Sequence, residues 1–230
     1  MKILVAIPCY NEAPSLKKLI AEIRRNLSCD VLVIDDASTD NSFEIASRYA
    51  ICVRHSVNLG IGGAVQTALK FAHENGYDLC IQVDGDGQHP PSQLPLLVNS
   101  FLAQPANMVI GSRFIANDSF RSTLLRRVGS QTISRLLKAL FRRKVTDPTS
   151  GFRLMDQKAI AFFSKNYPTD FPEPISIALA MGRKMTVREI PVMMEERKHG
   201  RSSIMGLKTV SYMLRVLSYI VLTRLSPERV

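Results

Sequence analysis

The 230-residue sequence predicts an α/β domain, in which a mostly parallel central sheet is covered by helices on both faces. Three observations lead there. Short runs of consecutive apolar residues recur along the first half of the chain. Segments with apolar residues at helical spacing separate them. Several of the runs end directly in a polar, acidic cluster, which is how a ligand site at the carboxyl edge of such a sheet reads.

Residues 3–7 (Ile3-Leu4-Val5-Ala6-Ile7) form a β-rich run ended by Pro8. Residues 14–27 carry Leu16, Leu19, Ile20, Ile23 and Leu27 on one stripe, and Pro14 suits a first helical turn. A second apolar run at 31–34 is closed by Asp35-Asp36, and Ser38-Thr39-Asp40 offers a cap for a helix over 41–49. Residues 51–53 predict a third strand. A helix over 60–75 follows, ended by Gly76, and then a strand over 79–83 that leads into Asp84-Gly85-Asp86-Gly87-Gln88. Residues 108–111 read as a strand, 122–143 as a helix, 145–155 as a loop and 186–192 as a strand. The stretch 204–225 is strongly apolar but interrupted by Lys208, Arg215 and Arg224. No repeat or Pro/Gly linker marks a second globular unit, so residues 1–203 are expected to form one domain and 204–230 an appended amphipathic helix.

Composition narrows the partners. A formal charge of +10 asks for an anionic one: nucleic acid, a phosphorylated substrate or an acidic membrane surface. Cys9, Cys29, Cys52 and Cys80 form no CxxC pair and read as free thiols, and His is too scattered for a zinc cluster. The apolar N-terminus is too short for a secretory signal, so a reducing, cytoplasmic location is the default. Lys208 and Arg215 fall a heptad apart on one helical face. That disfavours a simple membrane span and suits a basic helix at a membrane interface or against a membrane partner, with packing on the core or a homodimer as the plainer alternative.

Asp84-Gly85-Asp86-Gly87-Gln88 is the sharpest chemical signal. Two carboxylates at i and i+2 converge only in a tight turn, which the glycines permit. Oxygen ligands without His or Cys suit Mg²⁺ or Mn²⁺; a solvated turn is the plain alternative. Glutamate is missing from the twelfth position of an EF-hand counted from Asp84. Tyr10 can stack on a base and Glu12 accept from a ribose, although Pro8 to Glu12 also reads as an ordinary turn. Asp36 is the better ligand of its cluster, with Asp40 as a helix cap. Asn58 to Gly63 is a glycine-rich loop before a helix, a candidate phosphate cradle that matches neither a P-loop nor GxGxxG.

In order, these motifs are Ile7-Pro8-x-Tyr10-Asn11-Glu12, Ile34-Asp35-Asp36-x-Ser38-Thr39-Asp40, Asn58-x-Gly60-x-Gly62, Asp84-x-Asp86-x-Gln88-x-Pro90, Gly111-Ser112-Arg113, Asp147-x-x-Ser150-Gly151-Phe152-Arg153, Glu189-x-Pro191-Val192 and Arg197-x-x-Gly200-x-Ser202. Over residues 2–203 the chain resembles the family 2 glycosyltransferases, inverting enzymes of the GT-A fold, and within them the dolichyl- and polyprenyl-phosphate sugar synthases. The resemblance implies that Pro8, Tyr10, Glu12 and Asp36 hold the nucleoside of a nucleotide-diphosphate sugar. Asp84 would bridge donor and metal, with Asp86 and Gln88 as further metal ligands. Arg197 would meet the diphosphate, and Arg113 with Arg126 or Arg127 an acceptor phosphate.

Loss of the diphosphate from an oxocarbenium-like centre leaves charge that a metal and an arginine stabilise. A lipid phosphate needs cations and no base, whereas a glycan hydroxyl needs a base. The nine basic residues against one acid between Arg113 and Lys144 favour the phosphate. Glu173 and Asp147 are the base candidates, either of which can instead be structural. The expected protein is a cytoplasmic enzyme, peripheral at the inner membrane face, with no nucleic-acid partner. A chain without tryptophan has no QxxRW motif, which argues against a processive polysaccharide synthase. A nucleotidyltransferase would show a lysine-containing glycine-rich loop after the first strand. A non-catalytic adaptor would leave the motifs idle.

Overall fold

The computed structural model of the chain describes residues 1–115, 124–194 and 208–225, and of the helical residues 124–126 and 208–212 the backbone alone. Seven strands form one sheet: β1 (Ile3–Cys9), β2 (Asp30–Asp35), β3 (Ile51–Arg54), β4 (Leu79–Gln82), β5 (Met108–Ser112), β6 (Arg153–Asp156) and β7 (Val187–Pro191). Their order is β3-β2-β1-β4-β6-β5-β7. β1 pairs in parallel with both β2 and β4, while β6 runs antiparallel between β4 and β5. The chain therefore winds outward from β1 through β2 to β3, then crosses back to lay β4 on the other side of β1. The carboxyl ends of β1 and β4 flank that switch point, where the sheet leaves a crevice.

Strand alternation divides the core. Leu4 and Ala6 of β1 join Leu32, Ile34, Met108 and Met155 under one helical layer, while Ile3, Val5, Ile7 and Cys9 join Val31, Val33, Ile81 and Leu154 under the other. The first layer holds α3 (Gly60–Glu74), α5 (Leu124–Phe141), α6 (Gln157–Asn166), α7 (Pro172–Gly182) and α8 (Lys208–Leu225); the second holds α1 (Ala13–Asn26), α2 (Ser42–Tyr49) and α4 (Leu94–Ala103). With apolar side chains buried on both faces, the central strands are continuous apolar runs, as the sequence implied.

The stripe in 14–27 behaves as expected: Leu16, Leu19, Ile20 and Ile23 are buried on α1. The segment 145–155, expected to be a loop throughout, instead ends in β6. That strand has four residues and begins with a buried arginine, so it carries no period a sequence can display. Helix α7 is buried almost all round, which removes the polar face that reveals a helix. On α8, Val216 and Ile220 enter the core. A Cβ on Gly129 of α5 would meet Met213 Sδ at 3.4 Å, and one on Gly182 of α7 would meet Thr223 Cγ2 at 3.7 Å. Helices α5, α7 and α8 thus lie side by side.

Candidate active site

The acidic turn leaves β4 at the switch point. Gly87 has φ +78, and Asp86 Oδ1 accepts the Gln88 amide at 3.0 Å, closing the turn on itself. A Cβ on Gly85 would sit 3.3 Å from both Pro8 O and Glu12 Cγ, so the turn lies directly against the loop after β1. Ser15 Oγ donates to Gly85 O at 2.6 Å and ties the two loops together. Asp86 is buried at 4% exposure, whereas the Asp84 side chain is 32% exposed. Asp84 is the carboxylate presented to the crevice.

Three groups fix Asp84. Its amide donates to His89 Nδ1 at 3.0 Å, and Gln82 Nε2 donates to its Oδ1 at 3.3 Å. A Cβ added to Gly151 would lie 3.1 Å and 3.2 Å from its two carboxylate oxygens. The loop carrying Gly151 is itself held. Glu189 on β7 accepts from the Thr146 amide at 2.6 Å and the Asp147 amide at 2.8 Å. Asp147 takes Arg113 Nε on Oδ2 and Nη2 on Oδ1, both at 2.7 Å. This fork is buried on both sides, with side-chain exposures of 5% and 0%. Arg153 Nε donates to Ser150 O at 2.6 Å.

The loops after β1 and β2 interlock. Asn11 (φ 58) accepts the Thr39 amide on Oδ1 at 2.8 Å, and its own amide donates to Ser38 Oγ at 2.9 Å. Tyr10 stands out at 49% exposure, its ring available to a planar ligand. Partial burial pushes the Asp40 carboxyl upward, but hydrogen bonds from the Ser42 hydroxyl and the Ser42 and Ala13 amides outweigh it and hold it below the usual range. Asp35 and Asp36 part ways because successive residues face opposite sides of the sheet. Asp35 is fully buried and faces Arg54 Nε at 3.2 Å. Asp36 takes the Leu59 amide on Oδ1 and the Gly60 amide on Oδ2, each at 2.8 Å, and His55 Nδ1 at 2.7 Å. The amides at the start of α3, the candidate phosphate cradle, therefore hold a protein carboxylate.

Glu173 lies in the first turn of α7, after Phe171 in the left-handed region at φ 50. Burial raises its carboxyl; Arg153 partly offsets this, and the Asp84 charge adds to the rise. Of the residues singled out in the sequence, Pro8 lies at the paired carboxyl end of β1, and Tyr10, Glu12, Asp36, Asp84, Asp86 and Gln88 lie on the loops after β1, β2 and β4. Arg113 is turned inward to Asp147, and Arg127 is exposed on α5. Arg197 and the Arg126 side chain lie outside the described residues. Sequence reasoning missed His89, Gln82 and Ser15. His89 stood one residue beyond the acidic motif, and the other two only acquire meaning from strand neighbours.

The donor set fits a hard divalent cation. Asp84, Asp86 and Gln88 offer oxygen only, and among the described residues no group of three or more His, Cys, Asp or Glu forms a closed cage. Two carboxylates with phosphates completing the shell is the Mg²⁺ pattern.

An acidic turn beside a tyrosine-bearing loop, at the switch point of a doubly covered sheet, defines an α/β enzyme of the nucleotide-sugar transferase class. Comparison with known proteins agrees. The chain belongs to Glycosyl transferase family 2, whose profile matches residues 4–162. It is 31% identical over 220 residues to the undecaprenyl-phosphate mannosyltransferase of Micrococcus luteus, covering 90% of this chain and 88% of the relative. It is 28% identical over 211 residues to the UDP-N-acetylglucosamine–dolichyl-phosphate N-acetylglucosaminyltransferase of Methanococcus voltae, covering 83% and 84%. Its fold matches glucosyl-3-phosphoglycerate synthase from Mycobacterium tuberculosis, solved with Mn²⁺, UDP and phosphoglyceric acid, at TM-score 0.68 and 18% identity over 97% of this chain and 78% of that one. The fold is GT-A, and the protein is a glycosyltransferase.

Proposed function

We propose that this enzyme moves a hexose from a UDP- or GDP-linked sugar to a polyprenyl phosphate, with inversion. The observation that carries the reading is the Asp84–Asp86 turn at the β1/β4 switch point, pressed against the loop of Tyr10 and Glu12. Tyr10 stacks on the base and Glu12 accepts from the ribose. Asp36 holds the start of α3 against the nucleoside pocket. Asp84, Asp86 and Gln88 would hold Mg²⁺ or Mn²⁺, and bound there the cation neutralises charge developing on the diphosphate. Arg197 serves the same diphosphate, and Arg126 and Arg127 at the start of α5 meet the acceptor phosphate. Arg113 acts from behind, through Asp147, on the Gly151 loop.

The acceptor class draws support from the relatives named for dolichyl and undecaprenyl phosphates. A phosphate oxygen attacks as an anion and needs no base. A second reading, transfer to a hydroxyl, is favoured by one observation: half-buried Glu173, its carboxyl raised by desolvation and by the Asp84 charge, is suited to take a proton. The C-terminal helix α8 keeps the enzyme peripheral at the inner membrane face; no described helix is long and apolar enough to cross a membrane.

Calorimetric titration of UDP, GDP and their sugars with and without Mn²⁺ tests the donor site, and transfer of labelled sugar to polyprenyl phosphate tests the acceptor. Metal-dependent binding lost in Asp86→Asn is expected. Transfer that survives in Glu173→Gln supports the phosphate acceptor. No binding of any nucleotide by the folded protein would overturn the proposal.

A further inference from the structure

The outward face of α8 carries apolar side chains where a surface helix normally presents polar ones. Val216, Ile220 and Thr223 turn inward. On the far side, Leu214 is 62% exposed, Leu222 52% and Leu225 72%, with Val221 between them. At about 3.6 residues per turn these four share one side of the helix, with exposed Ser218 among them and exposed Arg215 at the edge. A concentration of exposed apolar side chains of this kind, edged by cations, marks an interaction surface.

Charge identifies the occupant. The C-terminal ends of α5, α7 and α8 converge, since a Cβ on Gly182 would contact both Thr223 and Phe141 within 4 Å. From those three ends project Arg142, Arg143 and Lys144, then Arg183 and Lys184, then Arg224, all exposed. Neither α5 nor α8 contains an Asp or Glu. A second copy of the same face would bring like charges together. A surface of lipid phosphates would satisfy every cation and admit the leucines to its acyl boundary.

We propose that this exposed side of α8 and the cationic cluster at its C-terminal end dock the enzyme on an anionic lipid bilayer, with α8 lying in the interface plane. The inference adds a specific surface to the peripheral location proposed above. Because α8 runs beside α5 and α7, the docked face continues toward the first turn of α7 and the crevice. An acceptor held in that bilayer would not have to leave it.

The test is flotation of the full chain with vesicles of phosphatidylcholine alone or mixed with phosphatidylglycerol. Wild type is expected to float with the anionic vesicles, weakly with neutral ones, and to detach in high salt. Leu222→Glu with Leu225→Glu, at exposed positions, is expected to lower partition at least about tenfold while leaving nucleotide binding on the same samples unchanged. Arg143→Glu with Arg183→Glu is expected to abolish the preference for the anionic lipid. Any of three results overturns the proposal: wild type that ignores anionic vesicles, leucine variants that float equally well, or a wild-type dimer that those variants dissociate. Binding confined to native membranes and removed by protease would overturn it too, in favour of a protein partner. Vesicle binding without nucleotide binding would leave this inference standing and remove the transferase reading.

Discussion

His89 grips Asp84 by the backbone: its Nδ1 accepts the Asp84 amide at 3.0 Å, and its Nε2 lies 3.6 Å from the carboxylate of the same residue. An Nδ1 that accepts leaves the ring proton on Nε2, facing Oδ2. The imidazole stacks on Phe152, centroids 5.0 Å apart, and is almost wholly buried. One ring thus orients both ends of Asp84. Such supporting contacts typically govern metal affinity by about 10–100-fold. His89→Ala is expected to weaken Mn²⁺ binding by that order in the presence of nucleotide. His89→Gln, which retains an acceptor, is expected to recover part of it. Calorimetric Mn²⁺ titration distinguishes this from a general loss of fold, which would instead lower the unfolding temperature of both variants alike.

Gly151 is the opposing wall. A methyl group there would lie 3.0 Å from Gln82 Nε2 and hardly farther from both Asp84 oxygens, so the carboxylate must shift by a few tenths of an ångström. Misplacing a catalytic group by about 1 Å can reduce rate a hundredfold. Gly151→Ala is expected to lower kcat at least about tenfold with an unfolding midpoint close to wild type. A kcat unchanged from wild type would remove Gly151 from the site.

The buried Arg113–Asp147 fork makes a stability prediction. Removing one member leaves an unpaired charge without water, at a cost of about 3–5 kcal/mol. Arg113→Met is expected to show that loss in urea unfolding. Combining it with Asp147→Leu is expected to restore much of the stability but not the activity, because the apolar pair cannot hold the loop as Arg113 and Thr149 do at 3.0 Å. A single variant that unfolds like wild type would contradict the role given to the fork.

The thiols set an alkaline limit. Burial pushes Cys9 and Cys80 up to about 12, and burial with the neighbouring Asp30 charge pushes Cys29 up to about 11, from an ordinary 9.0. Below pH 9 both states hold these protons and stability is unaffected. Above it the unfolded chain releases them first, so stability falls as pH rises toward 12, by up to about 1.4 kcal/mol per pH unit for each fully buried thiol. Urea midpoints at increasing pH are expected to decline from about pH 9, more slowly in Cys80→Ala. Thiol-specific reagents at neutral pH are expected to react far faster after unfolding than before.

Much of this site was legible because its loops follow strands that bury both faces. The runs at Ile3, Val31 and Leu79 predicted their own positions, and each pointed to the polar residues after it. What the sequence withheld depends on pairing across the chain. Asp36 looked like a ligand, and it accepts the amides of Leu59 and Gly60 because, one residue past the end of β2, it faces the start of α3. Arg113 looked like a phosphate contact, and Asp147 was a base candidate; each is the other's counterion. Helix α7 gave no periodic signal because nearly all of it is buried.

The inverted strand β6 also bears on how the molecule is made. β4 and β5 are not neighbours: β6 lies between them and pairs with both. A ribosome releases β5 well before β6, so the two halves of the sheet emerge with a gap that only residues 153–156 can fill. Until then the inner edge of β4 is open, Gly151 has not closed over Asp84, and a nascent chain ending anywhere before that strand holds its acidic turn without the wall that aligns it. The wall beside Asp84 is thus completed late in synthesis, together with the closure of the sheet, and release of a premature fragment would yield exposed strand edges.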